Sequence, residues 1–330
     1  MAATPLTADL HPLLTEYVVK KLQKNRITTV YSFVKVEVNQ LEKITNLDAE
    51  DIGHIRAHLI QRFAGSCYSD LGSSAKDRIV PFSTGIASLD DLLQGGLLPG
   101  QIYELCGESG SGKTQLCITI AAHVALLQRC HVFFIDTKCD FSGTKIMQVL
   151  NRSQQGKLSE RELGHTMARI KVERIFSPEL LVQVVEQLAA GKHLDAKIKL
   201  KLLIIDSLPS LWYLFQDAKS YCEPLGLQTK LICSLRKLAT TYGVAIVLVN
   251  LAVRIVEGGA TSEGKRKSCS NGSYPALGRF WESAPGTRLL MDRDETHSES
   301  GNCRLVEVWK SSYIRSGEGI IVRITDAGVR

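Results

Sequence analysis

Along residues 10–63 apolar positions recur every three or four residues. LTEYVVKKLQKN sets Leu14, Val18 and Leu22 on one helical face, and LDAEDIGHIRAHLIQRF does the same with Ile52, Ile55, Leu59 and Phe63. Asp48 stands where the second of these helices would begin, as an N-cap. The pattern predicts a small all-helical domain of about four or five short helices. From residue 83 the period changes. IYELC (102–106), HVFFID (131–136), KLLIID (201–206) and VAIVLVN (244–250) are short continuous apolar runs separated by helical stretches. Such runs fit strands buried on both faces, which predicts an α/β core with a mostly parallel sheet flanked by helices. After residue 286, TRLLMD, CRLVEVWKS and GIIVRIT read as strands with short connections, an antiparallel extension of that sheet. AGSCYSDLGSSAKDRIV (64–80), rich in Gly, Ser and Ala, reads as a linker. The expected division is therefore a helical domain over 1–63, a linker over 64–82 and an α/β core over 83–330.

Composition narrows this picture modestly. Of 330 residues, 44% are apolar and 22% charged, ordinary values for a globular protein. The net charge of +6 permits a nucleic-acid partner without requiring one. The nine cysteines include no C-x-x-C pair, so neither a zinc site nor a disulfide framework is expected, and reduced thiols in the cytosol or nucleus fit better. MAATPLTADLHPLL lacks the features of a signal peptide, and no run of 18 apolar residues exists, so no membrane association is expected.

The strongest chemical signal is GESGSGKT. Gly107, Glu108, Ser109, Gly110, Ser111, Gly112, Lys113 and Thr114 fit G-x-x-x-x-G-K-[ST] in full, between the strand 102–106 and an amphipathic helix expected from about residue 113 to 128. Glycines let backbone amides wrap phosphate oxygens, and a helix N-terminus adds positive partial charge. The expected nucleotide-binding residues are those eight and Gln115, with Lys113 reaching the β- and γ-phosphates and Thr114 binding Mg²⁺. Asp206, ending the apolar run KLLIID, is the expected second magnesium residue, and the expected cofactors are ATP and Mg²⁺.

Taken together, these residues resemble the RecA-type recombinase family in its eukaryotic and archaeal branch. FSTGIASLDDLLQGGLLPGQIYELCGESGSGKTQLC (82–117), DSLPSL (206–211) and YGVAIVLVN (242–250) follow the family's order, and PALGRFW (275–281) is most similar to its D-type paralogue branch. The resemblance implies a RecA-like P-loop ATPase core behind a small helical domain. It also implies nuclear action in homologous-recombination repair of double-strand breaks, in assemblies with other recombinase paralogues and single-stranded DNA that support the recombinase filament. Where the family carries its catalytic glutamate, this chain has Lys138; where a glutamine senses the γ-phosphate, Leu251 follows Asn250. The aromatic-x-x-alanine plug of the family's linker is poorly matched, since Tyr68 is the one aromatic residue in 64–80. Weak intrinsic hydrolysis and hetero-oligomeric assembly are therefore expected. The alternative is an active strand-exchange recombinase forming its own filament. A small-molecule kinase would leave the helical domain unexplained.

Two segments resemble the family's DNA-binding loops. The first, about 209 to 224, contains Trp212 and Tyr213, which either stack on bases or pack in the core. The second, about 252 to 275, carries Arg254, Lys265, Arg266 and Lys267 against Glu257 and Glu263, a local charge of four minus two, or +2. A basic loop of this kind can follow a phosphate backbone.

Overall fold

A computed structural model describes residues 4–63, 80–153, 157–192, 199–213, 222–254, 273–294 and 301–330. The chain divides into two compact units, Met1–Arg78 and Ile79–Arg330.

The first unit is helical. After a 3₁₀ turn at Ala8–Leu10 come α1 (Glu16–Lys24), α2 (Val30–Lys35), α3 (Val38–Thr45) and α4 (Ala49–Phe63). Local chemistry sets the boundaries. The Thr15 hydroxyl accepts from the Val18 amide at 3.3 Å, and Thr29 and Ser32 cap each other reciprocally. The Asp48 carboxylate accepts from the Asp51 amide at 2.7 Å, as its place before the helix predicts. Leu14, Val18, Leu22, Ile52, Ile55 and Leu59 are buried around Phe33 and Leu41, whereas Phe63 is only partly buried.

The second unit begins with Phe82 bridging Leu97 and with α5 (Ala87–Leu92). There follow β1 (Ile102–Cys106), α6 (Lys113–Leu127), β2 (His131–Asp136), α7 (Gly143–Ser153), α8 (Glu160–Met167), β3 (Ile170–Arg174), α9 (Pro178–Ala189) and β4 (Leu200–Asp206). Then come α10 (Pro209–Trp212), α11 (Cys222–Tyr242), β5 (Ala245–Val249), β6 (Ala252–Arg254), β7 (Ser273–Pro275) and α12 (Gly278–Glu282). The last strands are β8 (Thr287–Arg293), β9 (Cys303–Lys310), β10 (Gly319–Thr325) and β11 (Gly328–Val329).

Among the described residues one nine-stranded sheet has the order β11-β10-β9-β8-β1-β5-β4-β2-β3. The run from β8 to β3 is parallel, and β9, β10 and β11 add antiparallel. The side-chain period of two splits the apolar runs between two cores. Leu105, Val132, Phe134, Ile204 and Val247 face α6, and Phe133, Ile135, Leu203, Ile205 and Ile246 face the pair α9 and α11.

Three expectations need correction. The antiparallel extension starts at β9, because β8 pairs parallel with β1. The strand β3 was not anticipated: IKVER lies at the sheet edge and is only partly buried, so it lacks the apolar run of a central strand. Nor is α6 amphipathic. Every residue from Leu116 to Ala125 is buried, because α7, α8 and β11 cover the side turned away from the sheet. No helix among the described residues is long and apolar enough to cross a membrane.

Candidate nucleotide site

β1, β2, β4 and β5 are mutually parallel, so their carboxyl ends lie along one edge of the sheet, where α/β folds place ligand sites. The segment 107–112 leaves β1 at that edge and enters α6. It is tightly confined. A Cβ on Gly107 would stand 2.3 Å from the Met291 carbonyl and 2.7 Å from the Ser111 hydroxyl. Gly112 has φ +103°, and a Cβ there would meet Ile324 Cδ1 at 2.3 Å. Only glycine fits at either position. The loop is braced from the far side by the antiparallel strands: the Arg304 guanidinium donates to the Ser111 carbonyl at 2.8 Å and to the Gly301 and Cys303 carbonyls. Glu108, Ser109 and Gly110 are exposed at its tip.

Lys113 opens α6 and folds back into the loop. Its ammonium donates to the Gly107 carbonyl at 2.8 Å, the Glu108 carbonyl at 2.6 Å and the Ser111 hydroxyl at 3.2 Å. Burial, seconded by the Lys138 ammonium and opposed by Asp206, pulls its pKa down to about 8. A cation held this way gains by meeting an anion. Thr114 donates its hydroxyl to Asp206 Oδ2 at 2.6 Å, so the two expected magnesium residues, far apart in sequence, are adjacent. Gln115 is half-buried, and its side-chain carbonyl has no hydrogen-bond partner among the described residues.

Asp206 is 1% exposed, and its Oδ1 faces the Lys138 ammonium at 3.2 Å without hydrogen-bond alignment. Lys138 also pairs with Asp140 at 3.1 Å. Burial acts to lower the Lys138 pKa, but Asp206 and Asp140 outweigh it and the net shift is upward, so the side chain is a cation at neutral pH. The backbone holds it there. Asp136 accepts from the amides of Lys138, Asp140 and Phe141 at 3.1–3.2 Å, which folds 138–141 into a turn. Thr137 exchanges hydrogen bonds of 2.7 Å with the backbone of Ser207, next to Asp206. Sequence alone located Lys138 but not its pairing with Asp206.

A second ion pair, this one buried, is built on β1, the strand that leads into the loop. Glu104, in the middle of β1, is 0% exposed and pairs with Arg288, itself 4% exposed. The other Glu104 oxygen accepts from Asn250 Nδ2 and from Trp281 Nε1, each at 2.7 Å. Asn250 also donates to the Ala276 carbonyl at 3.2 Å, and its own side-chain carbonyl accepts from the Leu251 amide. A carboxylate inside the apolar run IYELC requires partners, so its need was legible although their identity was not.

The expected DNA loops divide. The first begins with α10, and Trp212 is core, 6% exposed, which removes it as a base-stacking residue; Tyr213 is 45% exposed. The second is closed by an antiparallel ladder, Ala252↔Pro275, Val253↔Tyr274 and Arg254↔Ser273, so its ends are strands rather than loop. Arg254 ends β6, while Lys265, Arg266 and Lys267 lie outside the described residues.

Comparison with known proteins agrees with this architecture. The Rad51 family profile matches residues 75–330, and the profile described as "RAD51D, N-terminal domain" matches residues 3–61. "DNA repair protein RAD51 homolog 4" of Bos taurus is 31% identical over 94% of this chain and 92% of its own length. "DNA repair protein RAD51" of Mycosarcoma maydis is 26% identical over 91% of this chain and 85% of its own length. The fold is similar to the crystal structure of the RadB recombinase, with a TM-score of 0.57 at 19% identity, covering 75% of this chain and 98% of that one. A RecA-like core behind a helical unit of the RAD51D type, matched over most of its length, places the chain in the Rad51 family, in its RAD51D branch.

Proposed function

We propose that this chain is an ATP-binding paralogue in homologous-recombination repair, acting in the nucleus with other recombinase paralogues, single-stranded DNA and the recombinase filament. The single observation that carries the nucleotide part is the meeting of a glycine-confined loop, Lys113, Thr114 and Asp206 at one sheet edge. The donor set fits ATP with Mg²⁺. Two glycines whose Cβ atoms would strike Met291 and Ile324 hold the loop close against β8 and β10, and a hydroxyl beside a carboxylate suits a small hard cation that also takes phosphate oxygens. Mg²⁺, when bound, neutralises charge on the phosphates. Thr114 and Asp206 are the residues that would hold the metal, and Lys113, now on the loop carbonyls, is the cation that would pair with the phosphates.

Hydrolysis requires a positioned water and a base. Lys138 is held protonated by two carboxylates and accepts no proton. General-base assistance is worth about 10²- to 10⁴-fold, so turnover is slow and bound ATP serves as a clamp that orders the subunit for its partners. The organisation we propose is a helical domain over 1–63, a linker over 64–82 and the ATP-binding core over 83–330, with Arg254, Lys265, Arg266 and Lys267 toward DNA. The similarity to RAD51 homolog 4 and to the RAD51D profile favours a paralogue over an independent strand-exchange enzyme. Titration calorimetry with ATP tests the site: saturable binding by the native chain and none by Lys113→Ala supports it, and equal affinity in both overturns it.

A further inference from the structure

We infer that Lys138 is a built-in cation of the triphosphate site, which occupies Asp206 in competition with magnesium and lets this chain hold ATP with little dependence on a divalent ion. The inference rests on the nucleotide reading above. Both oxygens of Asp206 are already engaged from within the chain: Oδ2 takes the Thr114 hydroxyl at 2.6 Å, and Oδ1 faces the Lys138 ammonium at 3.2 Å. Asp206 is almost fully buried, and a buried carboxylate stripped of its cation is costly. A divalent ion whose water shell approaches Oδ1 must first displace Lys138.

The lysine is placed by the fold rather than drifting on a surface. Its side chain is 32% exposed and clamped between Asp206 and Asp140. The turn that carries it hangs on three amides donated to Asp136, with Cys139 in a left-handed conformation at φ +61°. That turn is tied to the Asp206–Ser207 segment through Thr137. Lys113 approaches the same edge from α6, so two ammonium groups converge where a polyphosphate would lie. A tethered charge of this kind supplies part of the neutralisation that a metal ion otherwise brings, and supplies it at every magnesium concentration.

The test is ATP affinity of the full-length chain by titration calorimetry, in excess Mg²⁺ and in excess EDTA, for the native protein and for Lys138→Met. The native affinity is expected to change less than about threefold between the two buffers. Lys138→Met is expected to lose about tenfold or more in EDTA, equivalent to about 1.4 kcal/mol, and to recover most of it with Mg²⁺. Lys138→Arg should behave as native, and Lys138→Gln serves as a second neutral variant should Lys138→Met fold poorly. A native protein that loses tenfold or more in EDTA overturns the inference, as does a neutral variant with the native ratio. Absence of ATP binding by the native chain in both buffers overturns the nucleotide reading, and the inference with it; binding with full magnesium dependence overturns the inference alone.

Discussion

Replacing Glu104 by glutamine should be among the most damaging single-atom changes available in the larger unit. The amide keeps the shape and can still accept from Asn250 and Trp281, but it presents no charge to Arg288. Arg288 is 4% exposed and cannot turn to water. Breaking a buried ion pair by removing one partner costs about 3–5 kcal/mol. In a unit of this size each kcal/mol lowers the melting temperature by about 2–4 °C, so the expected fall is about 6–20 °C. The assay has a natural probe: the chain's three tryptophans, Trp212, Trp281 and Trp309, all lie in the larger unit, so their fluorescence follows that unit's unfolding and not the helical one's. The double variant Glu104→Gln with Arg288→Met should lose less than the sum of the two singles, since it leaves no unpaired buried charge. A loss under about 1 kcal/mol for Glu104→Gln, or strict additivity in the double variant, would refute the assigned role of the pair.

Other expectations follow from the same geometry. Gly107→Ala should abolish ATP binding and destabilise the unit, because its methyl meets the Met291 carbonyl; calorimetry and tryptophan fluorescence read both effects. Lys113→Ala should abolish ATP binding with little loss of stability, since the removed ammonium is itself penalised by burial. Burial holds the His123 pKa below the usual 6.5, so between that value and its folded pKa the unfolded chain carries the extra proton. Stability should therefore be full above pH 6.5 and fall on acidification, by at most about 1.4 kcal/mol per pH unit, and His123→Asn should flatten urea midpoints measured between pH 7.5 and 5.5. Charge reversal of Lys265, Arg266 and Lys267 should weaken single-stranded DNA binding and reduce the salt slope by about 0.7 per lost phosphate contact, whereas equal loss at every salt concentration would argue against phosphate contact.

What the sequence made legible was local. The phosphate loop is a spacing of glycines, a lysine and a threonine within eight residues, and the central strands are unbroken apolar runs, so both could be read directly. Asp48 announced its helix for the same reason. Long-range closure was not legible. Glu104 finds its partners 146 and more residues away, and nothing near β1 names them. The α6 helix misled because an all-round apolar helix and an amphipathic one differ in what covers them, here α7, α8 and β11. The edge strand β3 misled in the opposite sense, since partial exposure admits the charges of IKVER. Lys138 was visible as a departure, but its pairing with Asp206 depends on parallel strands β2 and β4 being neighbours.

The central claim is that this chain holds ATP and turns it over slowly because a protonated lysine stands beside Asp206. Its most direct test measures ATP affinity and phosphate release on one preparation of native protein, with single-stranded DNA present and Lys113→Ala as reference. The account predicts saturable binding that Lys113→Ala lacks, with phosphate release that stays slow, little above that variant's background, when DNA is added. Fast DNA-stimulated release that disappears in Lys113→Ala would contradict it.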